Sequence, residues 1–171
     1  AVYMTVYGET VSKLTVTDGL FEDNTALNSG AVNGRNGSEV SFTNTAFKNN
    51  TATGANAENY KNVGGGAVNM EGGKLTLSGV TMDGNASGNY GGAVMINGGS
   101  LLMNGSSVIN SSGSTGAALY LYGCTTMDVT DSTISRLFSS SISTRLVSPT
   151  RPRMVTSLPR CLSFISCRLT S

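Results

Sequence analysis

The chain of 171 residues has no histidine and no tryptophan, and only 12% of its residues are charged. Without histidine there is no serine–histidine or cysteine–histidine pair for nucleophilic catalysis. Potential metal ligands are sparse and no Asp-rich calcium repeat occurs, so neither a metal nor a cofactor is expected. The three cysteines, Cys124, Cys161 and Cys167, are an odd number, with two of them in an atypical tail. They outline neither a disulfide framework nor a zinc site. No apolar run approaches the roughly 20 residues that a membrane helix needs. The chain starts at Ala1 without a signal-peptide pattern and reads as a piece of a longer protein.

What is abundant is glycine, at 22 residues, with Asn, Ser and Thr filling the polar positions. These are weak helix formers, which argues against a helical protein. Charge is unevenly placed. Residues 1–135 carry ten acids against Lys13, Arg35, Lys48, Lys61 and Lys74, a net of −5, whereas residues 136–171 carry six Arg and no acid. The body is therefore not expected to bind nucleic acid.

An internal repeat organises the body. Five alternating apolar pairs recur: Leu14 and Val16, Val40 and Phe42, Leu75 and Leu77, Leu101 and Met103, Met127 and Val129. Successive starts are 26, 35, 26 and 26 residues apart. Seven residues after each start stands a lone apolar residue: Phe21, Phe47, Met82, Val108 and Ile134. Three residues further on come Asn24, Asn50, Asn85 and Ser111. A small-residue segment follows in phase: Ser29-Gly30-Ala31-Val32, Gly65-Gly66-Ala67-Val68, Gly91-Gly92-Ala93-Val94 and Ala117-Ala118-Leu119; Ala1-Val2-Tyr3-Met4 fits the same slot.

Each coil thus offers three short strands: the Ala-Val segment, the alternating pair and the lone apolar residue. Short strands with turn residues between them point to an all-β, right-handed parallel β-helix of about five 26-residue coils over residues 1–135. Equivalent positions of adjacent coils then stack about 4.8 Å apart. The lone apolar residues should form one inward column, and the Asn residues a ladder of side-chain amides. The Asn positions are also expected to take the left-handed backbone of a corner, and the Gly-Gly pairs a corner where a Cβ would clash. A coil edge left open at either end favours end-to-end self-association.

The step of 35 marks an insertion of about nine residues at 53–62, polar and carrying Glu58, Tyr60 and Lys61. These three are the candidate binding residues, because a loop that breaks a regular solenoid face is where specific contacts are usually placed. Residues 136–171 abandon the repeat. They contain no Gly and all three prolines, and Leu137 stands where Asn or Ser is expected. This segment reads as a basic Ser/Arg/Pro-containing tail that is disordered or not native to the repeat.

Phe-x-x-Asn stands intact at Phe21 and Asn24 and at Phe47 and Asn50; Gly-Gly-Ala-Val stands intact at residues 65–68 and 91–94. Degenerate copies occur at Met82 and Asn85, at residues 29–32 and at residues 117–119. This pairing resembles the repeat of the chlamydial-type polymorphic membrane proteins, over residues 1 to about 135. The resemblance implies a β-helical autotransporter passenger displayed extracellularly or on the cell surface, with an adhesin role and an unknown surface or host ligand, protein or glycan. The family's signal peptide and translocator barrel are not in this sequence.

An enzyme acting on polysaccharide is the alternative, since that chemistry needs carboxylates converging on one face. The repeat places Glu22, Lys48 and Asp83 at one outward position of three successive coils, where Lys48 separates the two acids. A solvated charge ladder is the expected reading. The outward array Thr15/Thr17, Ser41/Thr43, Thr76/Ser78, Leu102/Asn104 and Asp128/Thr130 resembles an ice-binding face in three of its five rows. Its expected role is a solvated β face. Asn-x-Ser/Thr sequons occur at Asn36, Asn49, Asn85, Asn104 and Asn110.

Overall fold

The computed structural model describes residues 1–5, 11–54 and 64–135, and beyond them the backbone of Ile165–Arg168. Within these residues the protein is all-β, and every strand pairing is parallel. The chain winds as a β-solenoid of about five turns. The first coil holds β1 (Val2–Met4), β2 (Lys13–Thr17), β3 (Leu20–Glu22) and β4 (Thr25–Ala26). The second holds β5 (Val32–Gly34), β6 (Glu39–Thr43), β7 (Ala46–Lys48) and β8 (Thr51–Ala52). The third holds β9 (Val68–Glu71), β10 (Lys74–Ser78), β11 (Thr81–Asp83) and β12 (Ala86–Tyr90). The fourth holds β13 (Val94–Asn104), β14 (Ser107–Ile109) and β15 (Ser112–Thr115), and the fifth β16 (Leu119–Thr130) and β17 (Thr133–Ile134). From the tail, β18 (Ile165–Arg168) lies parallel to the first residues of β16.

The register is the one the repeat implies. Leu14, Val40, Leu75, Leu101 and Met127 stack, as do Val16, Phe42, Leu77, Met103 and Val129. Phe21, Phe47, Met82, Val108 and Ile134 form the inward column of the five-stranded sheet. Phe21 and Phe47 stack with ring centroids 4.8 Å apart and planes 5° apart, and Phe42 meets Phe47 edge-on at 4.9 Å. The ring spacing matches the strand spacing, so stacking and the backbone ladder support one another. Val2, Val32, Val68, Val94 and Leu119 line the wall of the first strand stack. At Gly34 the missing side chain leaves room for Met70, whose sulfur lies 2.7 Å from where a Cβ would stand.

Three features differ from the sequence reading. First, the two strands that open each coil are separate in coils one to three but run through as single strands, β13 and β16, in coils four and five. They therefore belong to one nine-stranded sheet. Second, a four-stranded sheet, β4-β8-β12-β15, follows the Asn column. Its inward residues are small, Ala26, Ala52, Ser87 and Gly113, so it carries no apolar signal. Third, the left-handed corner is not the ladder Asn but the residue before it: Asp23, Asn49, Gly84 and Asn110. A second left-handed column runs through Asp18, Asn44, Gly79, Gly105 and Asp131. Asp, Asn and Gly are the residues that tolerate this conformation.

The Gly-Gly corner behaves as expected. Gly65 and Gly91 have φ of 64° and 57°. The next glycine is needed for space. A Cβ on Gly66 would sit 2.2 Å from Gly92 O and 2.4 Å from Ala86 O, and one on Gly30 would sit 2.5 Å from Thr51 N. The small inward residues of the four-stranded sheet thus bring its backbone against this corner of the same coil. Ala117 occupies the position in the fifth coil, and there no strand pairs onto β15 among the described residues.

Candidate functional site

Among the described residues, most buried polar side chains hold the coils together. Asn50 and Asn85 are fully buried. The amide oxygen of Asn50 accepts from Asn24 N at 3.2 Å and from Asn24 Nδ2 at 2.9 Å. Asn50 Nδ2 donates to Asn85 Oδ1 at 3.0 Å and to Phe21 O at 2.9 Å. Asn85 Nδ2 donates to Phe47 O at 3.0 Å. The amide ladder ends there: Ser111 Oγ turns to Ile109 O.

A second ladder, built from hydroxyls, was not anticipated. It lies at the corner between the second and third strands of each coil. Val80 N donates to Ser106 Oγ and Ser106 N to Ser132 Oγ, both at 3.0 Å, while Thr45, Ser106 and Ser132 donate to Thr43 O, Asn104 O and Thr130 O. The signal was present in the sequence as Thr45, Ser106 and Ser132 at one phase of the repeat. A third, external ladder is short. Asn69 Nδ2 donates to Asn33 Oδ1 at 3.3 Å, and the next residue of that column is Met95, which has no amide to donate. Asn69 Oδ1 is left without a partner. Beside it Arg35 Nε pairs with Glu71 Oε2 at 2.9 Å, and the hydrogen bond with Tyr3, then that with Glu71, raises the Arg35 pKa.

The candidate binding residues Glu58, Tyr60 and Lys61 lie outside the described residues. The flanks of their insertion are described. Gly54 N donates to Leu27 O at 2.9 Å and Gly64 N to Asn28 O at 3.1 Å. The two flanks are thus anchored on consecutive residues of the coil beneath, and Gly64 also bridges to Tyr90.

The acids fall where the repeat put them. Glu22, Lys48 and Asp83 are in register on successive coils. Asp83 Oδ1 accepts from Asn110 Nδ2 at 2.7 Å. Of the five sequons, Asn85 is buried in the ladder, so a glycan there is incompatible with the fold; Asn36, Asn49, Asn104 and Asn110 are exposed.

The outer face of β2, β6 and β10 bears a shallow open groove of about 190 Å³, lined by Lys13, Thr15, Glu39, Ser41, Lys74 and Thr76 over the backbone of Leu14 and Val40. Lys13, Glu39 and Lys74 form one column, and Thr15, Ser41 and Thr76 the next. Lys13 Nζ pairs with Glu39 Oε2 at 2.9 Å. Further along the hydroxyl column Leu102 and Asp128 break the array.

Set against known proteins, the chain matches no family model, no curated protein and no solved structure.

Proposed function

We propose that the protein is a non-catalytic, extracellular or cell-surface scaffold of the adhesin kind, and a piece of a larger surface protein. The observation that carries this reading is the division of labour among its side chains. Buried polar groups, with Asn50 and Asn85 foremost, join coil to coil, while the outer faces carry columns of mostly short polar residues, interrupted at positions such as Leu102. The motifs shared with polymorphic membrane protein passengers take those structural parts: the Phe stack, the Asn ladder and the glycine corner. Such a chain offers a long, regular surface whose stability does not depend on what that surface binds.

The test is retention of the purified chain on host-type cells and on arrays of glycans and proteins. Saturable binding, with glycans recovered intact, is expected. A polysaccharide enzyme is favoured by one observation: Glu22 and Asp83 are two coils apart in register, a separation of about 9.6 Å near the inverting range. Lys48 stands between them and partly offsets their charge. Glycan cleavage that disappears in Glu22→Gln or Asp83→Asn would replace the scaffold reading. Thermal hysteresis abolished by Thr76→Tyr would replace it with ice binding.

A further inference from the structure

We propose that the groove on the outer face of β2, β6 and β10 binds an acidic saccharide of low charge density; this deepens the scaffold reading and rests on it. The groove sets charge beside hydroxyls. Glu39 is engaged by Lys13 at 2.9 Å, whereas Lys74, the next member of the column, has no carboxylate within ion-pair distance among the described residues. Its ammonium is exposed at the groove and is strand-adjacent to Glu39. One unpaired cation calls for one carboxylate.

The hydroxyls of Thr15, Ser41 and Thr76 stand beside this column, about 4.8 Å apart. Elsewhere in the described residues, hydroxyls such as those of Ser29, Ser38, Thr45, Ser106 and Ser132 are used on backbone carbonyls. Those of Thr15, Ser41 and Thr76, like those of Thr17, Thr43 and Ser78 on the same outer face, have no partner among the described residues and can both donate and accept. A row of two-way hydrogen-bonding groups suits a ligand that is itself a row of hydroxyls. A carboxylate-bearing saccharide combines the two.

Residues 1–135 carry a net −5, which the six arginines of 136–171 offset in the full chain, so the groove holds its single carboxylate locally, within a screening length of about 8 Å.

The test is calorimetric titration of the full chain with a galacturonate oligosaccharide in three forms: partly methyl-esterified, fully esterified and unesterified. The partly esterified form should bind. The neutral form should bind about tenfold more weakly, and any extra binding of the unesterified form, which the six arginines of 136–171 attract, should persist in Lys74→Gln. Lys74→Gln should weaken binding about tenfold, and Lys74→Arg should restore it. Glu39→Gln should strengthen binding, because it frees Lys13; this opposite sign separates a charge effect from loss of folding. Equal binding of neutral and acidic forms, no binding of any form, or binding unchanged in Lys74→Gln would overturn the groove. If the Lys74→Gln chain still holds cells or arrayed glycans as the parent does, the groove fails and the scaffold reading stands. Cleavage of the saccharide would remove both.

Discussion

Replacing Asn50 by leucine should separate the amide ladder from the apolar column beside it. Asn50 is fully buried and takes part in four side-chain hydrogen bonds, two received from Asn24 and two given to Asn85 and Phe21. Leucine has a similar volume, so the cavity contribution is small. The backbone N–H of Asn24, half-buried, loses its acceptor, which costs about 1–3 kcal/mol at most. The two donated bonds are lost at a net of about 0.5–1.5 kcal/mol each. Asn85 Oδ1 keeps one donor, because Asn50 N reaches it at 3.0 Å. The expected loss is about 2–6 kcal/mol, a large part of the stability of an ordinary domain. Asn24→Leu, at the open edge, should cost less, because water can replace what is lost there. Urea unfolding followed by circular dichroism measures both. A loss below about 1 kcal/mol for Asn50→Leu, or one equal to that of Asn24→Leu, would refute the ladder as a stabilising element.

Asn50→Asp adds a pH arm. One carboxylate oxygen would face Asn85 Oδ1 and Phe21 O with no proton between them, so the folded-state pKa is raised above the unfolded value. The variant's stability relative to the parent should be greatest below the ordinary carboxyl range of about pH 4 and fall as pH rises through the folded pKa.

Phe47→Asp should unfold the body, because it places a charge within the Phe stack, whereas Thr76→Asp on the outer face should shift the urea midpoint little. Gly92→Ala would set a Cβ 2.0 Å from Ala117 O and should cost several times more than Gly105→Ala, where nothing lies within 4 Å and only the left-handed backbone is strained, at about 1–2 kcal/mol; denaturation midpoints compare the two. Deleting residues 55–63 should leave the fold intact, since it joins Gly54 to Gly64, whose N–H groups already bond consecutive carbonyls; a lost cooperative transition would contradict this, and unchanged partner binding would reduce the insertion to a spacer. Among the described residues, four of the five exposed large apolar side chains, Tyr3, Val11, Leu20 and Leu27, lie in the first coil, so self-association should run through that end and weaken in Leu20→Lys/Leu27→Lys; sedimentation that does not change would rule this out.

The repeat made the inward columns readable because stacking forces equivalent positions to carry equivalent residues. Phe21, Phe47 and Met82 could be aligned from spacing alone, and so could the Asn ladder. The four-stranded sheet was hidden by its own geometry. It must approach the Gly30, Gly66 and Gly92 corner closely, so its inward residues are Ala, Ser and Gly, and no hydrophobic period survives. The corner offset had a similar cause. Asp23 and Asn49 precede Asn24 and Asn50, and both members of each pair are plausible left-handed residues; only the ladder requires the second to point inward. On the outside, the fully buried Asn69 and the nearly buried Met95 gave no sign in a pattern that marks them as outward. The groove was visible as a Thr/Ser array, but its unpaired lysine depends on which of two neighbours Glu39 engages, and sequence does not decide that.

The stacking register is the claim on which the rest depends, and through-space proton contacts in solution test it most directly. A nuclear Overhauser spectrum of the intact chain should connect the Phe47 ring both to the Phe21 ring and to the Met82 methyl group, across 26 and 35 residues of sequence. Contacts from Phe47 to only one of them, or to neither, would contradict the solenoid.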